Sequence, residues 1–338
     1  MPLPRQRPTS VAILLCGLAS MWGAAPCTAS GIPPHAIVAY QDSWDDVPVA
    51  AAADSTLATL PDYISVIDLA FASPALIYPG DLDLSQTGLQ YRVPGWFLRD
   101  AIALLKTRNP HIKVLLSVGG AAYTDWQNLN EAAVAHLVGD LGADGVDIDF
   151  EPQQPGCAVA EDAHVQCATD PLWEQLVQRF RAVLPRPAVL TAAVWSVGAY
   201  GEGAFRNARP PSRYTGLMLH FLHSPIASEL DLLSIDAYDA TPEFDPMQAF
   251  RAYRAIWPGP LALGLAVERR AGSGPFYSAR EVESLARQVA RDRLGAMMVY
   301  PLLAEPDGTR SESLPDGRGL ASAMCRGMGL TDCTDTGR

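Results

Sequence analysis

From His35 onward the chain alternates two textures: short β-branched or alanine-rich apolar runs, and longer stretches whose apolar residues recur at helical spacing. Eight runs read as strands, at 36–40, 63–72, 112–118, 145–151, 189–195, 230–238, 261–267 and 296–302. The stretches between them predict helices over 95–108, 130–141, 171–184, 246–256 and 278–293, the last opened by Ser278 and Glu281 at capping-box spacing. Near-continuous apolar strands separated by helical crossovers predict an α/β fold whose sheet is covered on both faces. Eight of them predict one closed (β/α)8 barrel, a TIM barrel. An open Rossmann-type sheet is the competing architecture, but no strand is followed by a glycine-rich dinucleotide fingerprint. In such a barrel chemistry belongs at the C-terminal strand ends.

Composition narrows the picture. With 338 residues, 49% of them hydrophobic, the chain can bury the core of one large domain. A net charge of −12 opposes phosphate backbones and anionic lipid, so a neutral ligand is expected, with no nucleic-acid partner and no cofactor. Arg5 and Arg7, the apolar stretch 11–25 and the small residues after it have the layout of a secretory signal peptide over 1–29, leaving 30–338 as the barrel domain. Gly17, Ser20 and Gly23 interrupt the stretch, which is short for a membrane span; a secreted or periplasmic monomer without stable membrane insertion is expected. Removing the signal takes Cys16 and Cys27 with it and leaves Cys157, Cys167, Cys325 and Cys333. Four cysteines in an exported chain allow three pairings, of which close spacing favours Cys157 with Cys167 and Cys325 with Cys333. Neither pair has the spacing of a zinc knuckle, and no metal is expected.

The strand ends carry Tyr40, Phe71, Ser117, Asp147, Asp149, Glu151, Trp195, Asp236, Tyr238, Glu268 and Tyr300, mostly carboxylates and aromatics. Carboxylates move protons at glycosidic oxygens, and aromatic faces stack on sugar rings. From Val146 to Glu151 apolar and acidic residues alternate strictly, so a strand aims Asp147, Asp149 and Glu151 to one side, with successive members ~6.6 Å apart. Three buried carboxylates in a row repel one another and resist desolvation, so at least one holds a proton at neutral pH, as an acid catalyst must. A calcium or magnesium site is the other reading of the same acids. His220 and His223 form a His-x-x-His pair with no third ligand nearby in sequence and read as surface histidines.

Asp144 through Glu151 matches the Asp-Gly-x-Asp-x-Asp-x-Glu signature of glycoside hydrolase family 18, the chitinases and endo-β-N-acetylglucosaminidases. Ser117-Val118-Gly119-Gly120 resembles the family's Ser-x-Gly-Gly motif, Asp236-Ala237-Tyr238-Asp239 its sixth-strand element, Ala70-Phe71-Ala72 its second strand and Ala39-Tyr40 with Trp44 its first. The motifs fall in the family's order over about residues 37–303. The resemblance implies a retaining mechanism in which the substrate's own acetamido oxygen attacks the anomeric carbon, a known exception to two-carboxylate catalysis. It makes Glu151 the acid/base, has Asp149 hold the acetamido N–H and share a proton with Asp147, and has Tyr238 donate to the acetamido carbonyl. Tyr40, Phe71, Gly120, Trp195, Asp236 and Tyr300 are the expected substrate-binding residues, while Asp144 and Ser117 are expected to brace the barrel. Gly120 either leaves room beside the carboxylates or merely ends a strand.

Tyr300 stands where the family's chitinases usually place a tryptophan, which shifts weight toward an endo-β-N-acetylglucosaminidase. A non-catalytic sugar-binding protein on the same barrel is the third reading, opposed by the retained Glu151. The intervals 232–263 and 265–296 are too short for a large α+β insertion, so an open cleft and endo-action on exposed chains are expected.

Overall fold

Eight parallel strands close on themselves in the computed structural model, which describes residues 31–238, 240–241, 243–267, 275–306 and 314–334. The expected signal segment with Cys16 and Cys27 lies outside the described residues, as do Asp239 and Glu268. The barrel runs through β1 (Ile37–Asp42), β2 (Ile64–Ala72), β3 (Lys113–Gly119), β4 (Gly145–Asp149), β7 (Val189–Trp195), β8 (Leu232–Asp236), β9 (Leu261–Ala266) and β10 (Gly295–Tyr300), with β10 pairing back onto β1. The two intervening strands, β5 (Ala158–Val159) and β6 (Val165–Gln166), form a small antiparallel hairpin after β4.

The period-2 pattern divides the core into two shells. Val38, Val66, Leu115, Val189, Leu232 and Met298 pack inside the barrel. Their neighbours in sequence, among them Ile37, Ile67, Val114, Leu116 and Leu190, face outward against the helices. Five helices lie where the pattern predicts them: α1 (Gly95–Arg108), α2 (Glu131–Leu141), α3 (Asp170–Val183), α5 (Pro246–Arg254) and α6 (Ala279–Val289), the last with its capping box formed. Two more, α4 (Leu219–His223) and α7 (Gly317–Met328), were not legible in the sequence. The glycines that weaken the signal of α7 have a packing reason. A Cβ on Gly327 would come within 2.5 Å of Ala286 on α6, so glycine permits the two helices to approach.

At the N-terminal end of the barrel, acids meet cations. Asp144 Oδ2 accepts from the Val114 N–H at 2.8 Å and pairs with Lys106 Nζ at 2.8 Å, the bracing role expected for it. Asp231 does the same one strand pair further on: it accepts from the Leu190 N–H at 2.9 Å, pairs with Arg181 at 3.2 Å and also binds Arg186. Both favoured disulfides are formed, Cys157–Cys167 closing the hairpin and Cys325–Cys333 tying the end of α7 to the chain beyond it. Among the described residues no helix is long and apolar enough to cross a membrane.

Candidate active site

The strand ladder sets the acids at defined heights. Ser117 is in register with Asp147, Gly119 with Asp149, and Asp147 in turn with Thr191 on β7. Asp147 is fully buried, and its carboxylate accepts three hydroxyls: Thr191 Oγ1 at 2.7 Å, Tyr40 Oη at 2.8 Å and Ser117 Oγ at 2.9 Å. Burial pushes its pKa up, while the hydrogen bonds from Thr191, Tyr40 and Ser117 pull it back. Ser117 thus serves the carboxylate row directly and is more than a strand brace. Tyr40, expected at the substrate, commits its hydroxyl to Asp147. Burial, with Asp147 as the next cause, holds its phenol well above the ordinary range.

A fourth interior acid escaped the sequence reading. Asp68 on β2 is 1% exposed, in register with Tyr40, and its Oδ1 has no hydrogen-bond partner. Burial first, and the Asp147 charge second, raise its pKa well above the ordinary carboxylate value, which favours its protonated form. The signal for it was a single acid within the apolar run Ile64–Ala72, and Thr191 was equally inconspicuous on β7.

Glu151 lies beyond the last residue of β4, where the ladder ends with the Gly120 N–H donating to the Asp149 carbonyl at 2.9 Å; the expected strand was two residues too long. Gly119 (φ +113°) is required at this crossing, because a Cβ there would fall 2.1 Å from the Asp149 oxygen. Gly120 (φ +72°) turns the chain at the strand end, and the room it leaves is beside the Phe71 ring, 3.1 Å from where a Cβ would stand, and not beside the carboxylates.

Asp149 and Glu151 open with Asp236 onto a cavity of about 130 Å³ whose other walls include Tyr40, Phe71, Tyr238 and Tyr300. Tyr238 stacks on Tyr300 with centroids 5.7 Å apart and planes at 14°, and Tyr300 meets Tyr40 edge-on at 6.1 Å. The Tyr238 hydroxyl donates to Asp236 Oδ1 at 2.9 Å. The fold therefore gathers the predicted residues in one place, with Asp147 beneath the cavity and Trp195 as the exception. Trp195 stacks on Tyr214 at 3.7 Å and lines a neighbouring cleft of about 420 Å³. Trp126 and Tyr200 are core residues. His220 and His223 sit on α4 near Glu174 and Glu202, and among the described residues no three His, Cys, Asp or Glu side chains are grouped to hold a metal ion.

No protein-family model matches the chain. In sequence it is similar to "Exochitinase 1" of Streptomyces olivaceoviridis, 27% identical over 237 residues that make up 64% of this chain and 38% of that protein. It is also similar to a chitinase of Plasmodium falciparum, 31% identical over 128 residues, 34% of this chain and 32% of that one. The matches thus span about a third of the length of these relatives. Among solved structures, a GH18 chitinase from Pseudoalteromonas aurantia superimposes with a TM-score of 0.59 at 18% identity, covering 86% of this chain and 99% of that one. A class V chitinase from Nicotiana tobaccum, solved in complex with NAG4, gives 0.54 at 13% identity, covering 88% and 99%. The chain has the barrel fold of family 18 chitinases, without a large insertion among the described residues, and the resemblance read from its motifs is to the same family.

Proposed function

We propose that the chain is an exported family 18 glycoside hydrolase that cleaves β-1,4-linked N-acetylglucosamine glycans, with Glu151 as acid/base. The observation that carries this reading is that Glu151 and Asp149 share one small aromatic-walled cavity, above an Asp147 held by three hydroxyls. The Glu151 carboxyl gives its proton to the glycosidic oxygen as the bond from that oxygen to the anomeric carbon breaks. The acetamido carbonyl oxygen forms a bond to the same carbon from the opposite face, giving an oxazolinium whose N–H donates to Asp149. Water then attacks the anomeric carbon and returns a proton to Glu151, and two inversions leave the configuration retained. Tyr238 takes part by turning its hydroxyl from Asp236 to the acetamido carbonyl, which frees Asp236 for a sugar hydroxyl. The disulfides support an oxidising compartment.

A second reading, an endo-β-N-acetylglucosaminidase acting on N-glycans, is favoured by Tyr300 in the place of the usual tryptophan. The retained Glu151 argues against a purely sugar-binding role. The test is hydrolysis of soluble chitin oligomers, with a high-mannose glycopeptide in parallel. Wild type is expected to cleave the oligomers, and Glu151→Gln to lose at least ~10³-fold in kcat while still binding them. Cleavage of the glycopeptide alone selects the second reading, and near-normal turnover by Glu151→Gln removes Glu151 from its role.

A further inference from the structure

A buried pair of side chains at the C-terminal end of β1 takes no part in the steps above. Gln41 is completely buried, and Asp46, in the turn that follows the strand, is 8% exposed. Gln41 Nε2 donates to Asp46 Oδ1 at 2.9 Å, but the amide's other end, Oε1, is buried with no donor among the described residues. The Tyr91 hydroxyl next to them also lacks a hydrogen-bond partner there. Burial first, then the charges of Asp46 and Asp42, raise its phenol well above the ordinary range, so it stays neutral. Burial pushes the Asp46 carboxyl up to about 6, against the pull of the Gln41 hydrogen bond and the Arg92 charge.

The pair brackets the turn that carries Trp44. Within it the Ser43 N–H donates to the Ala70 carbonyl at 2.7 Å and the Asp45 N–H to the Asp42 carbonyl at 3.2 Å, while Arg92 donates to the Trp44 carbonyl at 3.4 Å. The Trp44 ring lies 6.2 Å from that of Phe71, which walls the catalytic cavity. Resting on the hydrolase reading above, we infer that Gln41 and Asp46 form a proton-dependent clasp that holds the Trp44 turn against Phe71, which makes Asp46 a positioning residue for substrate binding. With its proton, the carboxyl donates from its second oxygen to Gln41 Oε1 while Nε2 donates to Oδ1, and the amide gains the donor it lacks. Without the proton, acceptor faces acceptor in a buried place and one bond remains. The clasp is therefore complete on the acid side and loosens as pH rises through about 6. Asp42, Tyr91 and Arg92 face the same pair, so the test replaces Asp46 alone.

The test compares KM for a chitin tetramer in wild type and Asp46→Asn on both sides of pH 6. Asparagine does not titrate and its N–H can serve Gln41 Oε1 at every pH. The ratio of wild-type KM to variant KM is expected to be near one on the acid side and to rise about three-fold on the alkaline side, with kcat little changed. Gln41→Met, which fills the space without an acceptor, is expected to lose the same pH step. Quenching of tryptophan fluorescence by acrylamide, which needs no substrate, is expected to increase through the same pH range in wild type and not in Asp46→Asn or Trp44→Phe. A KM ratio that does not change with pH would mean that Asp46 only supports the fold, and quenching that rises equally in Asp46→Asn would assign the step to another group; either overturns the inference. Wild-type protein inert to the tetramer would sink the hydrolase reading, while the quenching curves would still decide whether the clasp exists.

Discussion

The two ends of the barrel treat carboxylates in opposite ways. At the N-terminal end Asp144 and Asp231 each pair with a cation and accept a backbone N–H from the adjoining strand. In the interior toward the other end, Asp147 is met by hydroxyls and Asp68 by the charge of Asp147. A cation fixes a carboxylate as an anion and makes it a structural clamp. Hydroxyls and neighbouring acids leave the proton inventory adjustable, which is the condition acid catalysis needs. Sequence position does not separate the two kinds, since Asp144 and Asp147 are three residues apart.

The contrast is broken most severely by removing a clamp. Asp231→Ala takes one of two carboxylate partners from the largely buried Arg181, which keeps Glu229, removes the carboxylate bound by Arg186, and leaves the Leu190 N–H without its carboxylate partner. A loss of about 3 kcal/mol in unfolding free energy is expected by denaturant titration. A loss below 0.5 kcal/mol would show that the pair is only a surface contact. Asp147→Asn acts on the other kind of acid. Its amide accepts through one oxygen only, so the hydroxyls of Thr191, Tyr40 and Ser117 cannot all keep donating to it, and kcat should fall about 100-fold with KM little changed. Steady-state kinetics on chitin oligomers measure this, and a change confined to KM would make Asp147 a binding residue.

Asp68→Asn has the smallest and most diagnostic effect. Asp68 has a raised pKa in the folded protein, so the native state holds a proton that the unfolded chain releases. Its contribution to stability is complete below the ordinary value of 3.8 and is lost as pH rises toward the folded value. Asparagine does not titrate. The variant's melting temperature should match wild type near pH 3.8 and exceed it by a margin of a few degrees that widens as pH rises. Parallel melting curves across pH would assign the titration to another group.

How much of this was legible in the sequence depended on period. The row Asp147, Asp149, Glu151 could be read because alternate positions on a strand share a face, and the eight apolar runs announced the barrel. Asp68 could not be read, because one acid in an apolar strand has no partner within its own element. Its neighbours, Tyr40 and Asp147, come from other strands, and only closure of the barrel brings them together. Trp195 was placed on the right strand, but Tyr214, the residue that decides which cleft it lines, comes from a segment with no periodic signal. The small residues of α7 likewise hid a helix that exists because it can pack closely on α6.

The separation of the ladder-held acids from the 196–216 segment, whose Tyr214 walls the neighbouring cleft, has an evolutionary consequence. The acid row is written into main-chain register, which tolerates almost no insertion, whereas the neighbouring wall is written into a crossover that can lengthen, shorten or be exchanged. A lineage could therefore alter that one crossover and keep the acid row unchanged, and a laboratory graft of the same stretch between relatives would follow the same route.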